Sequence, residues 1–237
     1  MLIGTRVLYP EEVDYWDADL LQISIYRGMN GSLDFMRKCT RACKDAGVRY
    51  VIHPVHYSLL QKDMFEDLME MAGLADLALI IHDEKSPEGG RLEGESEDIF
   101  RRSLGKLSTV TQVSLENSAD TGDVNWFWDH FADSITLDIG HVESSGLDSV
   151  EFVQSLDAAS IKKIRFVHIH RNNGLRGGIT DHWPLTRDCA EIRALRELVR
   201  IKPDLSVILE LNEIEEIEES MDILRTLRQE IENTTPS

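Results

Sequence analysis

The sequence predicts one α/β domain, a (β/α)8 TIM barrel over residues 1–237, because short apolar runs alternate along the chain with segments of helical spacing. Several of these runs are apolar on both faces, as at 77–81 and 207–209, which is typical of strands covered on both sides in a parallel sheet. Eight strand–helix units in 237 residues suit a closed barrel. An open, doubly wound sheet is the alternative fold.

The elements follow one another in a regular order. The predicted strands are 2–7, 21–26, 49–55, 77–82, 112–116, 135–139, 164–170 and 206–211. The predicted helices are 10–18, 32–46, 63–75, 95–108, 123–132, 148–157, 188–201 and 215–231. Segment 10–18 also fits a loop. Ser32 is the expected N-cap of its helix, and Gly47 stands where a left-handed residue ends that helix.

Composition restricts the classes of partner. The net charge of −18 weighs against nucleic acid as the default partner, since such proteins neutralise phosphates with a basic face, although a local basic site remains compatible with it. No apolar run approaches the ~20 residues of a membrane span. The three cysteines cannot form a disulfide framework, and Cys39 and Cys43 fit small buried residues of a helix. We therefore expect a cytoplasmic protein. A homo-oligomer is compatible with the sequence.

Ligand-type side chains recur where the predicted strands end. These residues are His53, His82, Glu116, Asp138, His168, His170 and Glu210. Seven of the eight histidines fall at strand ends or in the following loops, which leaves His130 alone in a predicted helix. Strand ends meet at one mouth of a barrel, where imidazoles and carboxylates together suit Zn²⁺, Mn²⁺ or Fe²⁺. The sequence thus predicts a metal site of Glu116, Asp138, His168 and Glu210.

The remaining polar candidates have other predicted roles. His170 lines the mouth or orients a ligand, whereas His56 and His130 fit structural positions. The segment 171–187 is long for a strand-to-helix connection and contains three glycines and three arginines. It fits a lid or a phosphate cradle as well as a plain connection.

Seven segments together resemble the xylose isomerase-like TIM barrel superfamily, which includes sugar-phosphate isomerases and epimerases and apurinic endonucleases of the endonuclease IV type. They are VIHPVHY (51–57), LIIHDE (79–84), VSLEN (113–117), LDIGHVE (137–143), FVHIHRNNG (166–174), TDHWPL (180–185) and VILELN (207–212). The resemblance implies that Glu116, Asp138, His168 and Glu210 hold the metal shared by isomerases and nucleases.

The same resemblance implies further metals in the nuclease-like members. His53 and His82, with bridging Glu116, match a second metal, and His141 and His182 match ligands of a third. Two positions depart from the family pattern: Thr180 stands where the third metal has an Asp ligand, and Arg171 where many isomerases carry Asp. An arginine there could bind a phosphate or carboxylate. One to three divalent ions, Zn²⁺ or Mn²⁺, are expected.

Two functions are predicted. The first is a metal-dependent isomerase or epimerase of a small sugar or sugar phosphate, with Glu116 and Glu210 as base and acid in proton transfer through an enediolate. His141, His170, Arg171 and Arg176 would bind that substrate. The second is a multinuclear zinc phosphodiesterase acting on a small-molecule or abasic-site phosphodiester. A non-catalytic barrel is least compatible, since nearly all ligand positions carry ligand-type residues.

Overall fold

The computed structural model describes residues 1–28, 33–118, 123–176 and 181–234, and its eight strands form a closed parallel barrel in the order β1 to β8. The strands are β1 (Leu2–Val7), β2 (Leu20–Tyr26), β3 (Arg49–Val55), β4 (Leu79–His82), β5 (Val113–Glu116), β6 (Ile135–Asp138), β7 (Ile164–Ile169) and β8 (Ser206–Leu209). The predicted (β/α)8 barrel is therefore confirmed, and the open doubly wound sheet is wrong. In β2 six of the seven residues are buried: Leu21, Ile23 and Ile25 form an apolar face, and the opposite face carries the buried polar residues Gln22 and Ser24.

Helices alternate with the strands. They are α1 (Leu33–Ala46), α2 (Lys62–Leu74), α3 (Glu95–Ser108), α4 (Val124–Phe131), α5 (Ile139–Ser144), α6 (Ser149–Ser155), α7 (Ala158–Lys163), α8 (Ala190–Ile201) and α9 (Ile214–Thr234). Within the described ranges, none of these helices combines the length and the apolarity that a bilayer span requires.

Contacts within the chain divide it into two compact units. The first comprises Met1–Thr5, Asn117–Gly122 and Thr136–Ser237, and the second comprises Arg6–Glu116 and Asp123–Ile135. In the first unit β7 pairs with β8 and β8 with β1, in registers that include His168 with Ile208 and Gly4 with Ile208. Its core is built by apolar residues of these strands and of α8, including Val167, Leu195 and Val207.

The second unit contains β2 to β5 and helices α1 to α4. All seven residues of β2 pair with β3, and β4 pairs with β5 so that His82 lies opposite Glu116. Between α3 and α4, the Phe100 ring centroid lies 5.4 Å from that of Phe127 and 4.9 Å from that of Phe131. Cys39 and Cys43 are fully buried in α1, and this burial raises the pKa of each thiol to about 12. Both are small core residues, as the sequence predicted.

The short helices differ most from the sequence-based expectation. Segment 10–18 holds a 3₁₀ turn, Pro10–Glu12, in place of the expected helix. The Glu12 carboxylate caps this turn by accepting hydrogen bonds from the Leu8 and Tyr9 amides at 2.6 and 3.3 Å. The helix expected at 148–157 ends at Ser155. Asp157 then caps α7, which the sequence did not predict, by accepting from the Ser160 amide at 2.7 Å.

Gly47 follows the last residue of α1 and ends the helix, as the sequence predicted. Its φ of 69° is left-handed, and the Gly47 and Val48 amides donate to the carbonyls of Lys44 and Cys43 at 3.2 and 3.0 Å. This pair of bonds is the Schellman motif. Ser32, the expected N-cap of the same helix, lies outside the described residues.

We expect Gly47→Ala to lower the free energy of unfolding by about 1 kcal/mol, because a Cβ disfavours the left-handed conformation. The matched control is Gly105→Ala, at an exposed position inside α3 where an added Cβ meets open space, which should stabilise the protein by about 0.5–1 kcal/mol. Chemical denaturation of both variants measures the difference. Equal effects of the two substitutions would contradict the cap assignment.

Candidate metal centre

The second unit brings together His53, His82 and Glu116, whose potential ligand atoms lie within 4.8 Å of one another. They come from three neighbouring strands, β3, β4 and β5. The Glu116 Oε2 atom lies 3.5 Å from His53 Nε2 and 3.7 Å from His82 Nε2. Glu116 is fully buried and His53 is almost so. The two imidazoles therefore converge on the same carboxylate oxygen.

The tautomer of His53 makes this set suitable for a cation. Its Nδ1 lies 3.2 Å from the Ile80 carbonyl oxygen, which can only accept a hydrogen bond, so Nδ1 carries a proton. In the neutral ring the Nε2 lone pair then faces the Glu116 oxygen. The His53 nitrogen and the Glu116 oxygen are both electron-rich, so they repel each other unless a proton or a metal ion lies between them.

The first unit brings together Asp138, His168 and Glu210, with potential ligand atoms again within 4.8 Å of one another. Asp138 ends β6, His168 lies in β7, and Glu210 directly follows β8. His168 Nδ1 lies 3.6 Å from Glu210 Oε1. The three side chains are at most 4% exposed, so a charge on any of them needs a nearby opposite charge or hydrogen bonds.

Asn117 positions Asp138 and was missed by the sequence analysis. Its Nδ2 donates to the Asp138 carbonyl at 2.8 Å, and its Oδ1 accepts from the Asp138 amide at 2.8 Å. The side-chain amide thus pairs with the backbone as a neighbouring strand would. The Asn117 carbonyl oxygen also lies 2.9 Å from Nδ1 of His141. Asn117 directly follows Glu116 in the chain, but its type and place gave no signal of this role.

A third set in the first unit consists of His141, His170 and His182, whose potential ligand atoms also lie within 4.8 Å of one another. His141 lies in α5, which corrects the expectation that His130 is the one histidine in a helix. Helix α5 begins because the Asp138 side chain accepts from the His141 amide at 2.8 Å. The His170 ring stacks on His182 with the centroids 3.9 Å apart.

His170 is fully buried, and neither of its ring nitrogens has a hydrogen-bond partner among the described residues. Its Nε2 lies 3.5 Å from Asp138 Oδ1, so a protonated ring would form an ion pair there. The ring packs directly on the backbone at Gly140, where an added Cβ would overlap the imidazole atoms. Gly140 is therefore what makes room for the His170 ring.

Asp181 borders this third set. Burial alone would raise the pKa of its carboxyl group, but the hydrogen bond from Ser144 and the nearby imidazoles of His170, His182 and His141 outweigh burial and hold the pKa below its usual value. His182 Nε2 lies 3.7 Å from Asp181 Oδ1. Thr180, which stands at the family's Asp position, lies outside the described residues.

The segment after β7 is anchored by a two-residue bridge. The Arg171 and Trp183 amides each donate to the other residue's carbonyl at 2.9 Å. Nε of Arg171 is buried and has no hydrogen-bond partner within the part of the chain that the structure describes. Arg176 instead donates to Glu216 of α9 at 2.7 Å and lies over the Trp183 ring. A substrate-binding role for either arginine stays a prediction.

The two histidines expected to be structural lie apart from these sets. His130 Nδ1 is 2.8 Å from the Trp126 carbonyl oxygen on the exposed side of α4. His56 follows β3, is exposed, and has a φ of 65°.

Comparison with solved structures identifies the fold. No protein-family model matches the sequence, and no curated protein sequence does. A D-tagatose 3-epimerase-like protein is 20% identical, with 98% of this chain and 99% of that chain covered and a TM-score of 0.72. Endonuclease IV from Thermus thermophilus is 18% identical, with 97% and 100% covered and a TM-score of 0.67. Both likenesses show a shared fold, a (β/α)8 barrel.

A third solved structure supports the same likeness. D-psicose 3-epimerase, crystallised in the presence of D-fructose, is 10% identical, with 96% of this chain and 98% of that chain covered and a TM-score of 0.62. At these identities the likeness establishes the barrel fold alone, and the chemistry must be argued from the side chains.

The chemistry of the donor sets fits divalent transition metals. Each set combines imidazole nitrogens with carboxylates or with further imidazoles, and such donors suit Zn²⁺, Mn²⁺ or Fe²⁺ better than Ca²⁺, which prefers oxygen ligands. The set His141, His170 and His182 offers nitrogen alone, so it favours Zn²⁺ over Mn²⁺.

We expect Gly140→Ala to weaken Zn²⁺ binding by about tenfold or more, because the new Cβ displaces the His170 ring. Titration against a chromophoric chelator measures the affinity. Gly105→Ala, which meets nothing within 4 Å, is the matched control. Wild-type affinity and stoichiometry in Gly140→Ala would show that His170 plays no part in metal binding.

Proposed function

We propose that this protein is a divalent-metal-dependent isomerase or epimerase of a small sugar or sugar phosphate. The observation that carries the proposal is the buried set Asp138, His168 and Glu210, held by three successive strands at their carboxyl ends. That end of a (β/α)8 barrel is where enzymes of this fold place their reacting groups. Buried carboxylates are costly unless a cation, a proton or hydrogen bonds compensate for the lost hydration, and such groups are concentrated at functional sites.

The residues divide into ligands, proton-transfer groups and substrate contacts. Asp138, His168 and Glu210 would hold the cation, together with Glu116 as the family resemblance implies. A bound divalent cation would polarise a substrate carbonyl and stabilise negative charge that develops on its oxygen. Glu116 and Glu210 would move the proton of the adjacent carbon, one removing it and the other returning it. His141, His170 and Arg171 would hydrogen-bond the substrate.

Two further observations support a small substrate. Two of the three solved structures reported above are named as an epimerase or an epimerase-like protein. The net charge of −18 disfavours an extended polyanion as substrate. The three cysteines are free, which is compatible with action in a reducing cytoplasm.

A zinc phosphodiesterase is the second candidate, and the additional ligand sets favour it. An isomerase of this kind needs one cation, whereas His53 with His82, and His141 with His170 and His182, offer more nitrogen donors than one ion can use. The endonuclease IV structure shares the fold over 97% of this chain. A diester within a small molecule would suit the acidic chain better than DNA.

We expect proton exchange at the carbon next to the carbonyl when the protein is incubated in D₂O with Mn²⁺ or Zn²⁺ and a panel of ketoses and ketose phosphates. NMR or mass spectrometry measures the incorporated deuterium. Glu116→Gln and Glu210→Gln should each lower the exchange rate at least a hundredfold, because each removes a proton-transfer group. Both variants should keep the circular-dichroism spectrum of the wild type.

Glu230→Gln is the matched control, because Glu230 forms a surface ion pair with Arg196 on the outer helices and should leave exchange unchanged. Absence of exchange across the whole panel, with metal bound, would overturn the isomerase proposal.

The phosphodiesterase is tested by metal content and by hydrolysis. We expect about one equivalent of tightly bound metal for the isomerase, and two or three equivalents together with cleavage of bis(p-nitrophenyl) phosphate for the phosphodiesterase. Elemental analysis of the purified protein counts the ions. If the protein with three ions bound hydrolyses neither this diester, nor small-molecule diesters, nor abasic oligonucleotides, the second candidate is excluded.

A further inference from the structure

Glu191 lies in the first turn of α8 and is buried. It is the second residue of the helix, and 2% of its surface is exposed. A glutamate in the first turn of a helix is stabilised by the helix dipole and by free amides, and it normally lies at the surface. Burial of a carboxylate is costly unless hydrogen bonds or a charge compensate for the lost hydration. Neither the sequence analysis nor the proposed proton transfer uses Glu191.

The Glu191 carboxylate holds the loop that follows β7. Its Oε1 atom accepts from the Asn172 amide at 2.7 Å, and Asn172 stands 19 residues earlier in the chain. Asn172 follows closely on His170, the buried imidazole of the three-histidine set His141, His170 and His182. This oxygen therefore binds a distant loop and not the amides of its own helix.

Hydrogen bonds continue from Asn172 to Trp183. Asn172 Oδ1 accepts from the Gly174 amide at 3.0 Å, in a turn where Gly174 has a left-handed φ of 74°. The Gly174 carbonyl oxygen accepts from the Trp183 indole Nε1 at 2.7 Å. The backbone bridge between Arg171 and Trp183 joins the same two segments a second time. The turn that Glu191 fixes is thus connected to Trp183 by side-chain and backbone bonds.

The two ends of this loop carry stacked imidazoles. His170 precedes the Asn172 turn, and His182 directly precedes Trp183. The ring centroids of His170 and His182 lie 3.9 Å apart, with the ring planes inclined by 24°. A shift of the Asn172 turn would therefore move one ring relative to the other.

We propose that Glu191 is a positioning residue of the three-histidine set. Its carboxylate fixes the Asn172 turn, and this turn, through Trp183, holds the His182 ring against the His170 ring. Glu191 itself lies outside the set, so its role requires a hydrogen-bond acceptor and no charge. This inference rests on the proposed function for what the set contacts, whether the substrate or a metal ion, and it adds a residue on which that contact depends.

Two substitutions separate the acceptor from the charge, in the full chain without added metal. Glu191→Gln keeps an oxygen that can accept from the Asn172 amide, whereas Glu191→Leu has no acceptor. Histidine-ring signals in NMR spectra report the stack, because each ring shifts the resonances of the other. We expect Glu191→Leu to displace the His170 and His182 signals and Glu191→Gln to leave them at the wild-type positions. Hydrogen exchange of the Asn172 amide should be about tenfold faster or more in Glu191→Leu and within about threefold of wild type in Glu191→Gln.

Zinc affinity gives a second readout that a purely structural role would not change. In titration against a chromophoric chelator, we expect Glu191→Leu to weaken by about threefold to tenfold the Zn²⁺ equivalent that Gly140→Ala also weakens, because the imidazoles are no longer held together. Glu191→Gln should restore wild-type affinity. Glu197→Leu is the matched control, since Glu197 forms a surface ion pair with Arg200 on the same helix, and it should change neither the ring signals nor the affinity.

Asn172→Ala keeps the test decisive if Glu191→Leu does not fold. It removes the Oδ1 acceptor of the turn at a partly exposed position and should displace the same two ring signals. Unchanged ring signals in Glu191→Leu or, if that variant is unfolded, in Asn172→Ala would overturn the positioning role. Equal displacement in Glu191→Gln and Glu191→Leu would also overturn it, because the charge and not the acceptor would then matter. So would wild-type zinc affinity in Glu191→Leu beside a weakened Gly140→Ala.

The ring signals require neither turnover nor bound metal, so their outcome is separate from that of the proposed function. Ring displacement in Glu191→Leu, without deuterium exchange or diester hydrolysis by the wild type, would keep the positioning role and remove both proposed functions. Exchange or hydrolysis together with unchanged ring signals in Glu191→Leu would do the reverse.

Discussion

The burial of carboxylates at the ends of the strands is the constraint on which the rest of this structure depends. Glu116 and Asp138 are fully buried, and Glu210 is 3% exposed. An ionised carboxylate so far from water is unstable unless a cation, a proton or several hydrogen-bond donors compensate for the lost hydration. Imidazoles approach each of the three, which supplies groups able to share a metal ion or carry a proton. Their burial beside imidazoles therefore supports the proposed metal binding and proton transfer.

Hydrogen bonds with neutral groups hold the Asp138 backbone and orient the rings of His141 and His53. Asn117 holds the backbone of Asp138, and the carbonyl oxygens of Asn117 and Ile80 lie within hydrogen-bond distance of Nδ1 of His141 and of His53. A carbonyl at Nδ1 leaves Nε2 as the nitrogen that can bind a metal. Orientation of this kind requires that the backbone next to each imidazole and carboxylate be rigid, and strand pairing and the cap of α5 provide that rigidity.

The sequence predicted the barrel and the convergence of imidazoles and carboxylates near the strand ends, because both depend on local pattern. Each ligand-type residue follows or ends an apolar run, so its position at the rim could be inferred without tertiary information. Asn117 and Gly140 could not be recognised in this way. Their roles depend on partners that are distant in the chain, namely the Asp138 backbone beside Asn117 and the His170 ring over Gly140. Helix α5 was missed because Asp138 ends a strand and caps the next helix at once.

Net charge and local charge act over different distances, and this difference bears on the size of the substrate. Charges at the surface are screened within about 8 Å at physiological salt, so a small anion at the rim experiences mainly the groups around it. A divalent cation held by Asp138, His168 and Glu210 would balance the two carboxylates and give a small anion a cation to bind, although the chain carries −18 overall. A polymeric anion would also contact the acidic surface outside the rim, where each further phosphate is repelled. The same protein can therefore attract a phosphorylated sugar and repel a nucleic acid, which is why we place the isomerase ahead of a DNA-directed enzyme.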